Sequence, residues 1–237
     1  MVAGPSLKRF YKRAEVCGAE GGFGLELDAR RFSTPAKAPF VVPSRALAEA
    51  IAAEWQAQGE RIVPRSMPLT QLACTALDRV APNRAEIAAE LAAYGAHDLL
   101  CYRAERPESL AARQAALWQP HLDWAARALD APLLVTAGVV SRPQRPKSLS
   151  ALAGALQGFE PFALAALDLV VRGSGSLVLG LALAAGRIDA EAAFEAAELD
   201  ASFQIERWGE DREDAARRTA LAADLAAAER FLRLLQA

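Results

Sequence analysis

The chain has 237 residues, enough for one large domain or for a small one beside a larger one. Hydrophobic residues make up 53% of it, but much of that share is alanine, which favours helix more than it fills a core, so a mainly helical protein is expected. A net charge of −2 with Lys and Arg scattered rather than striped lacks the footprint of a nucleic-acid binder, and nucleic acid is excluded as a partner.

Cys17, Cys74 and Cys101 lie far apart with no C-x-x-C pair, which fits reduced thiols of a cytosolic compartment better than a disulfide framework or a zinc site. The N-terminal MVAGPSLKRF contains no apolar run fit for a signal peptide. The longest apolar segment, Leu177 to Ala185, is well short of the roughly 20 residues that a membrane helix needs. The expectation is a cytoplasmic protein with no membrane insertion.

From Lys8 to Pro43 the residues alternate and are punctuated by glycine. Period two in Phe23, Leu25 and Leu27, bounded by Gly21, Gly22 and a turn at Asp28, predicts antiparallel strands joined by hairpins. A β unit of this size needs something larger to pack on. The pattern changes at Pro43: Ser44 is a good N-cap, and Leu47, Ala50, Ile51, Glu54 and Trp55 follow at helical spacing until Gly59. A second helix is expected from near Thr70 through Val80 to Pro82, and Asn83 opens a third.

The segment from His97 to Glu105 reads as β-leaning or as a short buried piece. Helices follow from Pro107 through Trp118 and Trp124, then the extended PLLVTAGVV, then helices near Ser148 to Leu156 and Phe159 to Val171. After the break at Gly173 to Ser176 come an apolar helix, a helix capped by Asp189, and a charged, alanine-rich tail helix. The expected class is α+β: a small N-terminal antiparallel β domain over residues 1–43 and a larger helical domain over 44–237.

Little in this pattern performs chemistry. His97 and His121 are the two histidines, and neither stands in an H-x-x-x-H spacing. The GSGS of Gly173 to Ser176 lacks the lysine and the spacing of a phosphate loop, so capping by Ser176 is the better reading. No cofactor or metal is implied. Asp98, Glu105, Glu198, Asp200 and Glu206 remain a possible acid and base set if the fold brings them together, which keeps a carboxylate-dependent hydrolase or lyase open as an alternative. A general interaction module with some other partner is a further one.

The helix from Asp189 carries the densest information. At about 100° per residue, Phe194, Ala197, Ala201, Ile205 and Trp208 form one stripe, expected to face the core. Leu199 and Phe203 form a second apolar pair, and an acidic seam of Glu191, Glu195, Glu198 and Glu206 runs between the two. Asp200 lies with Gln204 opposite that seam. Two apolar faces mean either a central bundle helix or a helix that packs one face and offers the other.

Several stretches resemble a known family: RFYK at Arg9 to Lys12, GGFGLELDARRFSTP at Gly21 to Pro35, AAEWQAQ at Ala52 to Gln58, MPLTQLACTALD at Met67 to Asp78, DLLCYRAERPESL at Asp98 to Leu110, and LDASFQIERWG at Leu199 to Gly209. In order and content they are similar to the assembly chaperones of the F-type ATP synthase, the "Atp-twelve" family. The resemblance implies a monomeric holding chaperone without catalysis, which covers free α subunit until β subunit replaces it. It also implies the bacterial cytoplasm here and the mitochondrial matrix for eukaryotic relatives. The family's sensitive acid falls on Asp200 and its sensitive tryptophan on Trp55. Partner contact is therefore expected at Asp200, Phe203, Gln204 and Glu206, and structural roles at Trp55, Phe194, Ile205 and Trp208. The chain departs from the family at His97, at Ala201 and Ser202, where some mitochondrial members carry acids, and in lacking a basic presequence.

Overall fold

The computed structural model describes residues 7–138 and 142–237. The described residues divide into two compact units: the first holds those up to Asn83 together with Pro161–Ala166 and Arg230–Ala237, and the second holds those of Arg84–Glu160 and Leu167–Glu229.

In the first unit the alternation around Phe23 becomes a hairpin. Strands β1 (Ala14–Ala19) and β2 (Gly22–Leu27) pair antiparallel, with Ala14 opposite Leu27 and Ala19 opposite Gly22. The two-residue turn between them places Gly21 at φ +81, a conformation that glycine adopts without a Cβ penalty. β3 (Arg30–Arg31) returns along β2 after a turn in which both Asp28 (φ +49) and Ala29 (φ +64) are left-handed. The Asp28 carboxylate accepts the backbone N–H groups of Lys12 and Arg13, each at 2.9 Å, and these donors hold it below the usual carboxylate range.

Ser44 caps α1 (Arg45–Gln56) by accepting the Leu47 N–H at 3.1 Å. The buried face of α1, with Leu47, Ile51 and Trp55, packs on β1 and β2. Trp55 is buried as the spacing implies: Phe32 lies 4.7 Å from its ring, and the Tyr11 hydroxyl donates to its carbonyl at 2.7 Å. α2 (Pro68–Thr75) starts on a proline at N1 rather than near Thr70, and the helical chain continues without a break to Val80. A π turn over Ala76–Val80 forms its end, and its Asp78 reaches back to the Thr34 loop.

The second unit is helical. It contains α3 (Arg84–Ala93), α4 (Glu108–Ala128) and α5 (Pro146–Leu156), then α6 (Pro161–Ser174) from Leu167 onward and α7 (Leu177–Ala184). α8 (Ala190–Ala197), α9 (Leu199–Trp208) and α10 (Arg212–Leu235), the last up to Glu229, complete it. A two-stranded parallel ladder joins β4 (Tyr102–Arg103) to β5 (Thr136–Ala137). β5 belongs to the extended PLLVTAGVV piece, whose last two residues, 139–140, lie outside the described residues.

α7 is apolar on every side and is buried from Leu177 to Leu183, as a central helix must be. Ser176 caps it by accepting the Leu179 N–H at 3.0 Å. Asp98, fully buried, adds a second acceptor at the same helix start, taking the Ser176 hydroxyl at 2.8 Å, Val178 N–H at 3.0 Å and Leu100 N–H at 3.1 Å. Burial pushes the Asp98 carboxyl above its ordinary value despite those donors. Asp98 therefore holds α7 in place and has no part in a surface.

Candidate partner-binding site

The helix expected to run unbroken from Asp189 bends at Glu198, where φ −104 and ψ 15 end α8 and begin α9. Asp189 caps α8 through the Ala192 N–H at 2.8 Å, as its position implies. Small residues Ala190, Ala193 and Ala196 face inward from α8, and Leu199 and Phe203 continue that face on α9. Alanines allow close approach of neighbouring helices. The Trp118 indole accordingly reaches the Ala196 carbonyl at 2.8 Å.

This reverses the expected assignment of the two apolar stripes. Phe203, placed on the partner face by spacing, is 4% exposed; Trp208, placed in the core, is 76% exposed. Phe194 and Ile205 are half-buried. Periodicity shows that two stripes exist, but what lies against each stripe decides which one is covered. Phe203 also gains cover from two guanidinium groups, Arg207 at 4.0 Å and Arg113 at 5.2 Å from its ring.

Of the five acids only Glu105 and Asp200 come to one depression, and the others are held apart. Glu198 is buried and bound by Arg217 at 2.7 Å and Arg218 at 2.9 Å. Glu206 is exposed and takes the Arg113 guanidinium at 2.7 Å on both oxygens, which holds its carboxyl below the ordinary value. Asp98 is locked to α7, and Asp200 has a partner of its own. Among the described residues no group of three or more His, Cys, Asp or Glu is placed to hold a metal ion.

Asp200, in the first turn of α9, is half-buried. Gln114 of α4, itself 1% exposed, donates Nε2–H to Asp200 Oδ1 at 2.7 Å. The same Gln114 accepts the Ala104 N–H on Oε1 at 2.7 Å, and its carbonyl takes Arg103 at 3.0 Å. Arg103 lies over the Trp118 ring at 5.0 Å; burial lowers its pKa, and Asp200 acts against that shift. Together Tyr102, Arg103, Glu105, Arg106, Gln114 and Asp200 line an open depression of about 470 Å³.

On α9, Asp200, Gln204 and Trp208 stand at i, i+4 and i+8 and so share one side of the helix. Gln204 is exposed there, as is Trp208. The sequence does not reveal Gln114 or Arg113 as neighbours of this surface. They come from α4, and only the fold brings them to α9.

The sequence profile of the ATP12 chaperone proteins matches residues 8–126. Atp12 from Paracoccus denitrificans is 45% identical and superposes with a TM-score of 0.93, covering 97% of this chain and 98% of that one. The chain belongs to the ATP12 chaperone family. An aspartate-to-lysine mutant of the P. denitrificans Atp12p gives 44% identity and a TM-score of 0.92, with 97% and 98% of the two chains covered. The Atu1473 protein from Agrobacterium tumefaciens gives 41% and 0.94, with 98% and 88% covered.

ATP12 proteins are chaperones and not enzymes, and the separate partners of Asp98, Glu198, Asp200 and Glu206 suit that class. Among the described residues no helix is long and apolar enough to cross a membrane.

Proposed function

We propose that this ATP12-family protein is an assembly chaperone of the F-type ATP synthase: it binds unassembled α subunit and keeps it from aggregating until β subunit takes its place. It acts as a monomer in the bacterial cytoplasm. The contact surface in this reading is the outer side of α9, where Asp200, Gln204 and Trp208 align, with Glu206 and its Arg113 partner beside it. Phe203 supports that surface from below and does not touch the client.

The observation that carries the proposal is the exposure of Trp208, 76%, on the same side of α9 as a half-buried aspartate. Tryptophan is among the residues that dominate binding energies once a partner covers them, and a charged group at the edge of such an anchor supplies orientation. A stable contact buries about 1,200–2,000 Å² in total, so α9 would be the centre of a larger footprint.

Light scattering of isolated α subunit tests the proposal. Wild-type protein should suppress aggregation at near-equimolar ratio, an Asp200→Lys variant of unchanged melting temperature should suppress it poorly, and added β subunit should release the client. Equal suppression by the variant would remove Asp200 from the contact. Recovery of some other dominant protein in place of α subunit from a lysate would overturn the client assignment.

A further inference from the structure

In the first unit, β1 leaves one edge of its sheet open. Phe23 of β2 exchanges both of its main-chain bonds with Val42, at 2.9 Å each, and Leu25 accepts the Phe32 N–H at 2.8 Å, so both residues face away from β1. Their register partners, Gly18 and Val16, are therefore the non-hydrogen-bonded positions of the β1–β2 ladder and turn their own N–H and C=O groups outward. Ala14, two residues earlier, turns the same way, and its N–H is taken by the Gln56 side chain at 3.0 Å. Beyond Ala14 the row is bare: among the described residues nothing accepts from the Val16 or Gly18 N–H or donates to their carbonyls.

The edge is also accessible and unprotected. Gly18 is exposed, and a Cβ built there would meet nothing within 4 Å, so the space beside it is open. Exposed edges are commonly blunted by proline, lysine or a bulge, yet β1 holds no proline and no lysine and pairs with β2 residue for residue. On the outer face of the sheet Glu15 stands directly opposite Glu26, and the two carboxylates reach only Arg13 and Arg31, at 4.0 Å each. Opposed like charges cost stability, and a cation arriving beside Glu15 would relieve them.

We infer that the open edge of β1 is a strand-addition site, which takes an extended segment of a protein client antiparallel to β1. The segment exchanges main-chain bonds with Val16 and Gly18, sets apolar residues opposite those two, and carries Lys or Arg opposite Glu15. Glu15 then belongs to a non-hydrogen-bonded pair of the new ladder, where facing side chains approach most closely. An apolar side chain opposite Gly18 covers the place that the glycine leaves empty. Two outward N–H and C=O sets that repeat every second residue match another extended chain and not a compact small molecule. The inference rests on the proposed function only in taking the ligand to be a protein client.

Fluorescence anisotropy with the full-length protein and a labelled Gly-Ser-Val-Thr-Val-Lys-Ser-Gly peptide tests it. Saturable binding is expected, weakened about tenfold by N-methylation of both valines, which removes their donors and keeps their side chains. Replacing the peptide lysine by glutamate should weaken binding about fivefold. Gly18→Pro removes one outward N–H at an edge position where proline is tolerated, so it should melt as wild type does and bind about fivefold more weakly. Absence of saturable binding, equal affinity for the N-methylated peptide, or equal affinity for the glutamate peptide would each overturn the inference. So would full α-subunit holding by a Gly18→Pro variant that no longer binds the peptide. If wild type sediments as a dimer that Gly18→Pro splits, the occupant is a second copy of the chain and the client assignment falls. Asp200→Lys should bind the peptide as wild type does, so failure here is distinguishable from failure of the α9 surface.

Discussion

Gln114 holds Asp200 with one end of its amide and the Ala104 backbone with the other, both at 2.7 Å. The aspartate is thus oriented by a neutral, buried group at the edge of the depression. Asp200→Asn should preserve the hydrogen bond, because an amide oxygen can accept it, and should shift the melting temperature by no more than about 2 °C. Client capture should weaken through the lost charge. Gln114→Ala removes both bonds and should cost about 1–3 kcal/mol in denaturant unfolding. If Asp200→Asn melted far lower than wild type, Asp200 would be a fold residue and the surface reading would fail.

Trp208 and Phe203 should behave oppositely. Phe203 is buried under two guanidinium groups, so Phe203→Ala should cost about 3–4 kcal/mol of stability. Trp208 is exposed, and Trp208→Ala should stay within about 0.5 kcal/mol of wild type in the same measurement. In α-subunit aggregation assays the order reverses in origin: the Trp208 variant, fully folded, should hold client poorly. Full holding by that variant would leave α9 without its anchor.

The contrast between these two residues shows what the sequence could convey. Local chemistry was legible: the Ser44, Ser176 and Asp189 caps, the hairpin at Gly21 and the apolar helix at Leu177 all follow from residue type and spacing. The class, a small antiparallel sheet with many helices, follows from the same signals. Which of two apolar stripes on α9 is buried was not legible, because that depends on the bend at Glu198 and on arginines from α4 and α10. The tether of Asp200 to Gln114 was hidden for the same reason, since 86 residues separate the two. Nor does spacing distinguish the π turn at Ala76–Val80 from an ordinary helix end, because Thr34 and Ala36, far away in the chain, hold its Asp78.

The β2–β3 turn stores strain at a position with no side-chain role. Ala29 is left-handed at φ +64, where its Cβ is disfavoured, and glycine is at ease. Ala29→Gly should raise stability by up to about 1 kcal/mol, the strain relief being partly offset by greater freedom of the unfolded chain. Urea unfolding checks this, with the midpoint moving up at unchanged slope. Asp28, also left-handed, should not tolerate glycine in the same way, because its carboxylate holds the Lys12 and Arg13 amides.

His121 of α4 gives the molecule a pH dependence of defined sign. It is 8% exposed, and burial, with Arg187 nearby, lowers its pKa below the ordinary value of 6.5. A depressed folded value means that the unfolded chain takes up the proton first as pH falls. The stabilising contribution of neutral His121 is therefore complete above 6.5 and declines below it, until the folded pKa is passed. Thermal melts at about pH 7.5 and about pH 5.5 should show a larger drop for wild type than for His121→Gln, each compared with its own value at the higher pH. Parallel drops in the two proteins would mean that other groups set the acid sensitivity.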